Sequence, residues 1–197
     1  MKRFLFDMIP VVAGVLLALL INQWQQDQSE KQFVKKSLRA ISNQNNINSE
    51  ELEYALKRQT VLIDTLRKYV SDSSVNMITS IRKGGGLYTP DLRSSTWKFL
   101  LDNNNHTLVS YDYLNQLAEV EKYERLIDRY NAQLTQLFYD PRTYQDPFFK
   151  RILLSNLYEF RNVEGQLLDT FEKMDSIQFQ LFPETVVKRD SAESISR

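Results

Sequence analysis

The sequence predicts an all-α protein: an N-terminal transmembrane helix followed by an antiparallel bundle of long helices with coiled-coil-like packing. Three observations lead there. Residues 4–24 form an apolar run interrupted early only by Asp7 and closed by Trp24. Glycine and proline number only five each among 197 residues, too few for a sheet with many turns. Beyond the run, apolar residues recur at alternating spacings of three and four, the pattern of helices packed lengthwise.

The run comes first. About 21 residues at roughly 1.5 Å each give a helix of about 31 Å, matching the hydrocarbon thickness of a bilayer. The run is apolar all round and not on one stripe, which argues against a buried helix of a soluble core. A cleaved signal peptide would require small residues in an A-x-A-like arrangement, whereas the chain continues Leu19, Leu20, Ile21, Asn22, Gln23, Trp24. The segment therefore reads as a retained signal anchor, with residues 1–3 as a short cytoplasmic stub. Lys2 and Arg3 outweigh the more distant Lys31, Lys35, Lys36 and Arg39 in orienting it, so the remainder is expected outside the inner membrane. Trp24 suits the headgroup level at the far edge. Gly14 and Ala18, four apart, offer a small face for close helix contact. Asp7, in the first turn, suits the positive end of the helix dipole. An energy-coupling role for Asp7 is the competing functional reading.

Residues 25–182 are expected to form the helical domain, periplasmic in this orientation. Residues 25–69 lack proline and glycine and read as one long helix or two, with Phe33, Val34, Leu38 and Ile41, then Leu52, Leu56, Ile63, Leu66 and Tyr69, along one face. Between these groups Asn43, Gln44, Asn45, Asn46 and Asn48 form a poor helix sequence, where a break, a polar layer or a solvated face is expected. Residues 71–90 read as a long connection. Gly84, Gly85 and Gly86 follow Arg82 and Lys83, but no Gly-Lys-Ser/Thr completes a phosphate loop, so a flexible loop is the expectation. A short helix over 91–104 follows, with Asp91, Ser94 or Ser95 as cap and Leu92, Trp97, Leu100 and Leu101 buried. Asn105 begins a glycosylation sequon, and the single histidine, His106, sits beside it in a turn.

A second long helix is expected over 110–138, its seam formed by Val120, Tyr123, Ile127, Tyr130, Leu134 and Leu137. A third begins at Pro147, with Phe149, Leu153, Asn156, Phe160, Val163, Leu167, Thr170, Met174, Ile177 and Leu181 along its seam. The short connection returns it antiparallel to the second. Residues 183–197 lack periodicity and read as a flexible tail.

Composition narrows the function. Lysine plus arginine and aspartate plus glutamate number 25 each, which leaves no basic footprint for nucleic acid. With no cysteine and one histidine, thiolate chemistry and multi-histidine zinc sites are excluded. No catalytic constellation, cofactor site or metal site is expected. The reading is a non-enzymatic, membrane-anchored helical module acting as scaffold or accessory subunit of a cell-envelope complex. Its partners would be the bilayer and an envelope protein or a second copy. The competing reading is a ligand- or lipid-binding sensor, with Tyr123, Tyr130 and Phe160 lining a pocket.

Asp7, Gly14, Ala18, Ile21, Asn22 and Trp24 fit an acidic residue followed by a VVxGILIALxINNW-type run. That stretch resembles the anchor of an uncharacterised family of bacterial single-pass inner-membrane proteins. Residues 94–117 resemble the same family's second landmark, a Ser/Thr-aromatic helix, a turn and the start of a long helix. Pro10 and Leu20 depart from the usual form. The resemblance implies an inner-membrane anchor with a helical periplasmic domain, and it implies no activity.

Overall fold

A computed structural model of the chain describes residues 2–93, 109–139 and 147–187, with side chains from residue 12 onward except that of Pro147. Helix α1 (Lys2–Tyr69) is one uninterrupted helix of 68 residues, about 100 Å at 1.5 Å per residue. It is followed by α2 (Met77–Lys83), α3 (Tyr111–Tyr139), α4 (Pro147–Leu181) and a 3₁₀ turn, Pro183–Thr185. All regular structure among the described residues is helical. The expected helix around Trp97, the sequon at Asn105, His106 and the connection after α3 lie outside the described residues.

Contacts far apart in sequence fix the directions. Leu38 meets Gln178, Gln59 meets Glu164 and Tyr69 meets Lys150, so α4 runs antiparallel to α1. Tyr113 meets Gln178 and the rings of Tyr130 and Phe160 pack 5.8 Å apart, so α4 is also antiparallel to α3. Helix α4 therefore packs against both α1 and α3, which run parallel to each other.

The core is one continuous apolar cluster from Val34 to Leu66 on α1, through Met77 and Ile81 of α2, to Tyr113, Leu117, Val120, Ile127 and Leu134 of α3 and Leu153 to Met174 of α4. Ile127 and Leu167 both lie in it, as their spacing predicted. Each helix has a start or stop readable in its chemistry. Ser110 accepts the Tyr113 amide at 3.3 Å and opens α3. Asn76 caps α2 through the Thr79 amide at 2.8 Å. Gly84 ends α2 against α1, where a β-carbon would stand 2.7 Å from Leu62 Cδ1 and 3.0 Å from Leu62 Cα. Gly85 and Gly86 then take φ of 87° and 89°, which other residues rarely adopt.

Several expectations are corrected. The asparagine-rich stretch is neither a break nor a solvated face: Ser42, Asn45, Asn46, Asn48 and Ser49 are buried within continuous helix. The glycine-rich connection is not a free loop. It contains α2 and continues as an extended strap on α1, with Tyr88 donating to Glu51 at 2.5 Å and Arg58 donating to the Gly85 carbonyl. The tail is docked at least to Val187, and Thr185 is buried. The seams are displaced only in part, since Val163 and Thr170 of α4 are buried as expected. On α4 the expected Asn156 and Ile177 are half-buried and Leu181 is exposed, while Lys150, Leu157, Glu164, Phe171 and Gln178 are buried. On α1, Phe33 is exposed and Leu56 half-buried. Tyr123, Tyr130 and Leu137 of α3 flank the core rather than fill it.

Among the described residues no helix is long and apolar enough to cross a membrane. The run 4–24 enters the description of side chains only at residue 12. From there its apolar residues are all exposed, Val12 at 48% and Leu20 at 63%, and α1 joins the core only at Val34.

Candidate functional site: polar side chains inside the bundle

Along α4 the buried residues Lys150, Leu153, Leu157, Phe160, Glu164, Leu167, Phe171, Met174 and Gln178 alternate at three and four, with Val163 and Thr170 buried beside them. The polar members of that alternation fall every second heptad, at 150, 164 and 178. On α1 the alternation runs Val34, Leu38, Ile41, Asn45, Asn48, Leu52, Ala55, Gln59, Leu62, Leu66. Polar groups thus occupy core positions in both helices, and a buried polar group costs free energy unless it is hydrogen-bonded. Most of these groups hold a segment that is not helical.

At one end Gln178 is buried between three elements. Its amide donates to the Leu38 carbonyl at 3.1 Å and to Thr185 Oγ1 at 2.8 Å, and its oxygen accepts from the Tyr113 hydroxyl at 3.0 Å. Burial, and then the nearby Asp175, raises the Tyr113 phenol well above its ordinary value, so it remains a donor. One turn along α1, Ser42 donates to Asp175 at 3.2 Å and accepts from the Val187 amide at 3.0 Å, while Asn46 donates to the Val187 carbonyl at 2.7 Å. These bonds dock the first residues after α4 onto α1. Asn48 makes a two-way pair with Arg93, accepting from its amide at 3.0 Å and donating to its carbonyl at 2.9 Å. That pair anchors the end of the strap.

Midway, Gln59 Nε2 donates to Glu164 Oε1 at 2.9 Å and to the Tyr88 carbonyl at 3.4 Å. Glu164 is fully buried, and burial pushes its carboxyl up to about 8, against smaller opposing effects of Gln59 and Arg161. At neutral pH it is therefore mainly the neutral acid. At the far end the Lys150 ammonium donates to the carbonyls of Tyr69 at 2.6 Å, Asp72 at 2.5 Å and Val75 at 2.9 Å. A cation there meets the negative end of the α1 dipole and the carbonyls that the helix end leaves unpaired.

These groups hold the bundle together. Phe160 is fully buried against the Tyr130 ring. The space between Ile41, Asn45, Asn48, Val120 and Glu124 is about 10 Å³, room for a single water at most. Larger grooves of about 330 Å³ (Gln133, Gln136, Leu137, Asn156) and 320 Å³ (Asp112, Asn115, Gln116, Lys173, Ser176, Ile177) are open and polar. Among the described residues, no cluster of three histidine, cysteine, aspartate or glutamate side chains could hold a metal ion.

Of the residues singled out from sequence, Asp7 lies on the α1 backbone with its side chain outside the description. Gly14 has nothing within 4 Å of where its β-carbon would stand, Ala18 is exposed, and Trp24 is 63% exposed. None of the four is near the buried polar groups, which begin at Ser42. Sequence reading missed Gln59, Lys150, Glu164 and Gln178 because it sought apolar residues at core spacing. Their heptad register with the apolar positions was the available signal. No family model, no curated protein and no solved structure matches the chain.

Proposed function

We propose that the chain is a membrane-tethered, non-enzymatic helical module, a scaffold or accessory subunit of an envelope complex. In this reading residues 4–24 cross the inner membrane with Lys2 and Arg3 on the cytoplasmic side, and the bundle stands in the periplasm. The observation that carries it is α1 itself. One helix runs from an exposed segment that is apolar all round into a bundle core that begins at Val34. A helix apolar on every side and uncovered by protein is stable only in an apolar surrounding, and lipid supplies it. The resemblance of the run to single-pass anchors points the same way.

Residues 25–33 of the helix separate Trp24 from Val34, so the bundle starts about 15 Å beyond the headgroup level and is held there by a rigid rod. A loop would let the domain swivel, whereas a continuous helix fixes its height and direction. The alternation of three and four along α1 and α4 supports coiled-coil-like packing of the bundle. Rigid placement and loops stapled to the helices suit a part that positions something else. Crosslinking in intact cells followed by purification in detergent tests the reading. Recovery with a reproducible envelope partner supports it, and a protein recovered only alone contradicts it.

A further inference from the structure

Among the described residues, two buried oxygens at the middle of the bundle have no hydrogen-bond partner, Gln59 Oε1 on α1 and Glu164 Oε2 on α4. They belong to the same two side chains whose other ends are already joined, Gln59 Nε2 donating to Glu164 Oε1 at 2.9 Å. As acceptors both oxygens are orphaned, and each such atom carries an unrecovered desolvation penalty. A single proton on Glu164 removes both defects at once. The carboxylic acid O–H becomes a donor, and the amide oxygen of Gln59 is the acceptor on the adjoining side chain. Acid and amide then form a closed two-bond ring, with the second Gln59 N–H left for the Tyr88 carbonyl.

We propose that Glu164 and Gln59 form a proton-binding site, in which one bound proton joins α1 to α4 as a cyclic carboxylic acid–amide pair. The surroundings favour the neutral form. From α1 the pair is flanked by Ala55, Leu62 and Ile63, all buried. The register set by Tyr113 with Gln178 and Tyr130 with Phe160 puts Ile127 of α3 level with Glu164, and Glu124 lies one turn before it. The strap presents a backbone carbonyl there, with the Tyr88 hydroxyl turned away to Glu51. The cation acting on Glu164 is Arg161 on its own helix, whose effect is the smallest of the three on its carboxyl. A carboxylate at this point would leave the negative charge buried and poorly compensated.

The test uses the full chain in detergent micelles. The side-chain carboxyl carbon of Glu164, assigned through its own backbone and side-chain carbons in isotope-labelled wild-type protein, is followed by carbon NMR from pH 5 to 9. The folding equilibrium is measured over the same range by denaturant titration. In the wild type the carboxyl should read as the protonated acid at pH 6 and titrate only in the mildly alkaline range. The folding equilibrium constant should fall by up to about tenfold per pH unit between pH 5 and 7 through this site. Glu164→Gln, whose amide can reproduce the ring without a titrating proton, should lose that component. A carboxylate signal at pH 6, or an unchanged pH slope in Glu164→Gln, overturns the proposal. The NMR reading is taken on the wild type, so it decides even if the variant folds poorly.

Discussion

Replacing Lys150 with methionine removes the cation that closes the end of α1 and keeps the length of the stem. In the wild type the ammonium satisfies three carbonyls, those of Tyr69, Asp72 and Val75, at 2.5 to 2.9 Å. Hydrogen bonds from a charged donor are worth about 1.5 to 3 kcal/mol each, and three of them would sum well above what is measurable. Relief from burying the charge offsets much of that. What remains is the cost of carbonyls left without a donor, about 1 to 3 kcal/mol apiece where water cannot reach them. A net loss of about 3 kcal/mol follows, or a melting midpoint lowered by about 6 to 12 °C in a domain of this size. Hydrogen exchange should place the damage: amides of 66–77 should open first, while those around Leu38 and Gln178 keep their protection. Lys150→Arg should not restore stability, because a planar fork cannot converge on three carbonyls as an ammonium does. A midpoint within 2 °C of wild type by the same melting assay would refute the reasoning, since the three bonds would then be contributing about nothing net.

Leu167→Ala, at a fully buried position of the central helix, should cost about 2 to 5 kcal/mol by denaturant titration, with no change in oligomeric state. Gln178→Leu leaves the Tyr113 hydroxyl, the Leu38 carbonyl and Thr185 without their shared partner. Limited proteolysis should then cut after residue 182, where the wild type resists. The pH dependence has a definite sign. The folded-state value of Glu164 is raised from 4.5 to about 8, so its contribution is fully present below about pH 4.5 and is lost as pH rises toward 8. At about 1.4 kcal/mol per pH unit the whole span is worth about 5 kcal/mol, read as the difference between wild type and Glu164→Gln across that range.

Much of the fold is legible in the sequence because helices leave a periodic record. The scarcity of glycine and proline indicates an all-helical chain, Pro147 opens α4, and Ile127, Leu134, Leu153, Phe160, Leu167 and Met174 stand at buried spacing. The α4 seam is misread toward its end, where a core position is polar. Beside Gln178 the apolar neighbour is Ile177, so an eye following hydrophobicity drifts by one residue and settles on a half-buried flank, whereas Val163 beside Glu164 is itself buried. The asparagine stretch of α1 is misread for a related reason. Asparagine has low helix propensity, yet Asn46 and Asn48 are held by backbone groups of the tail and strap that are remote in sequence. Those partners exist only after folding. The docking of Val187 and Arg93 is invisible to periodicity because extended segments gripped by side chains carry no repeat of their own. The buried acid is hidden too: only the surroundings supplied by α1, α3 and the strap distinguish Glu164 from the exposed glutamates of the same helices.

In the proposed function one helix both crosses the membrane and enters the bundle. The chain contains no cysteine, so single-cysteine variants can be read without background. Lys2→Cys and Ser29→Cys bracket the run 4–24, and each is treated in intact cells with a membrane-impermeant maleimide, before and after permeabilising the inner membrane. Position 29 should be labelled as soon as the outer barrier is passed, and position 2 only once the inner membrane is opened. Labelling of both positions without that opening, or recovery of the protein in the soluble fraction, would contradict that arrangement.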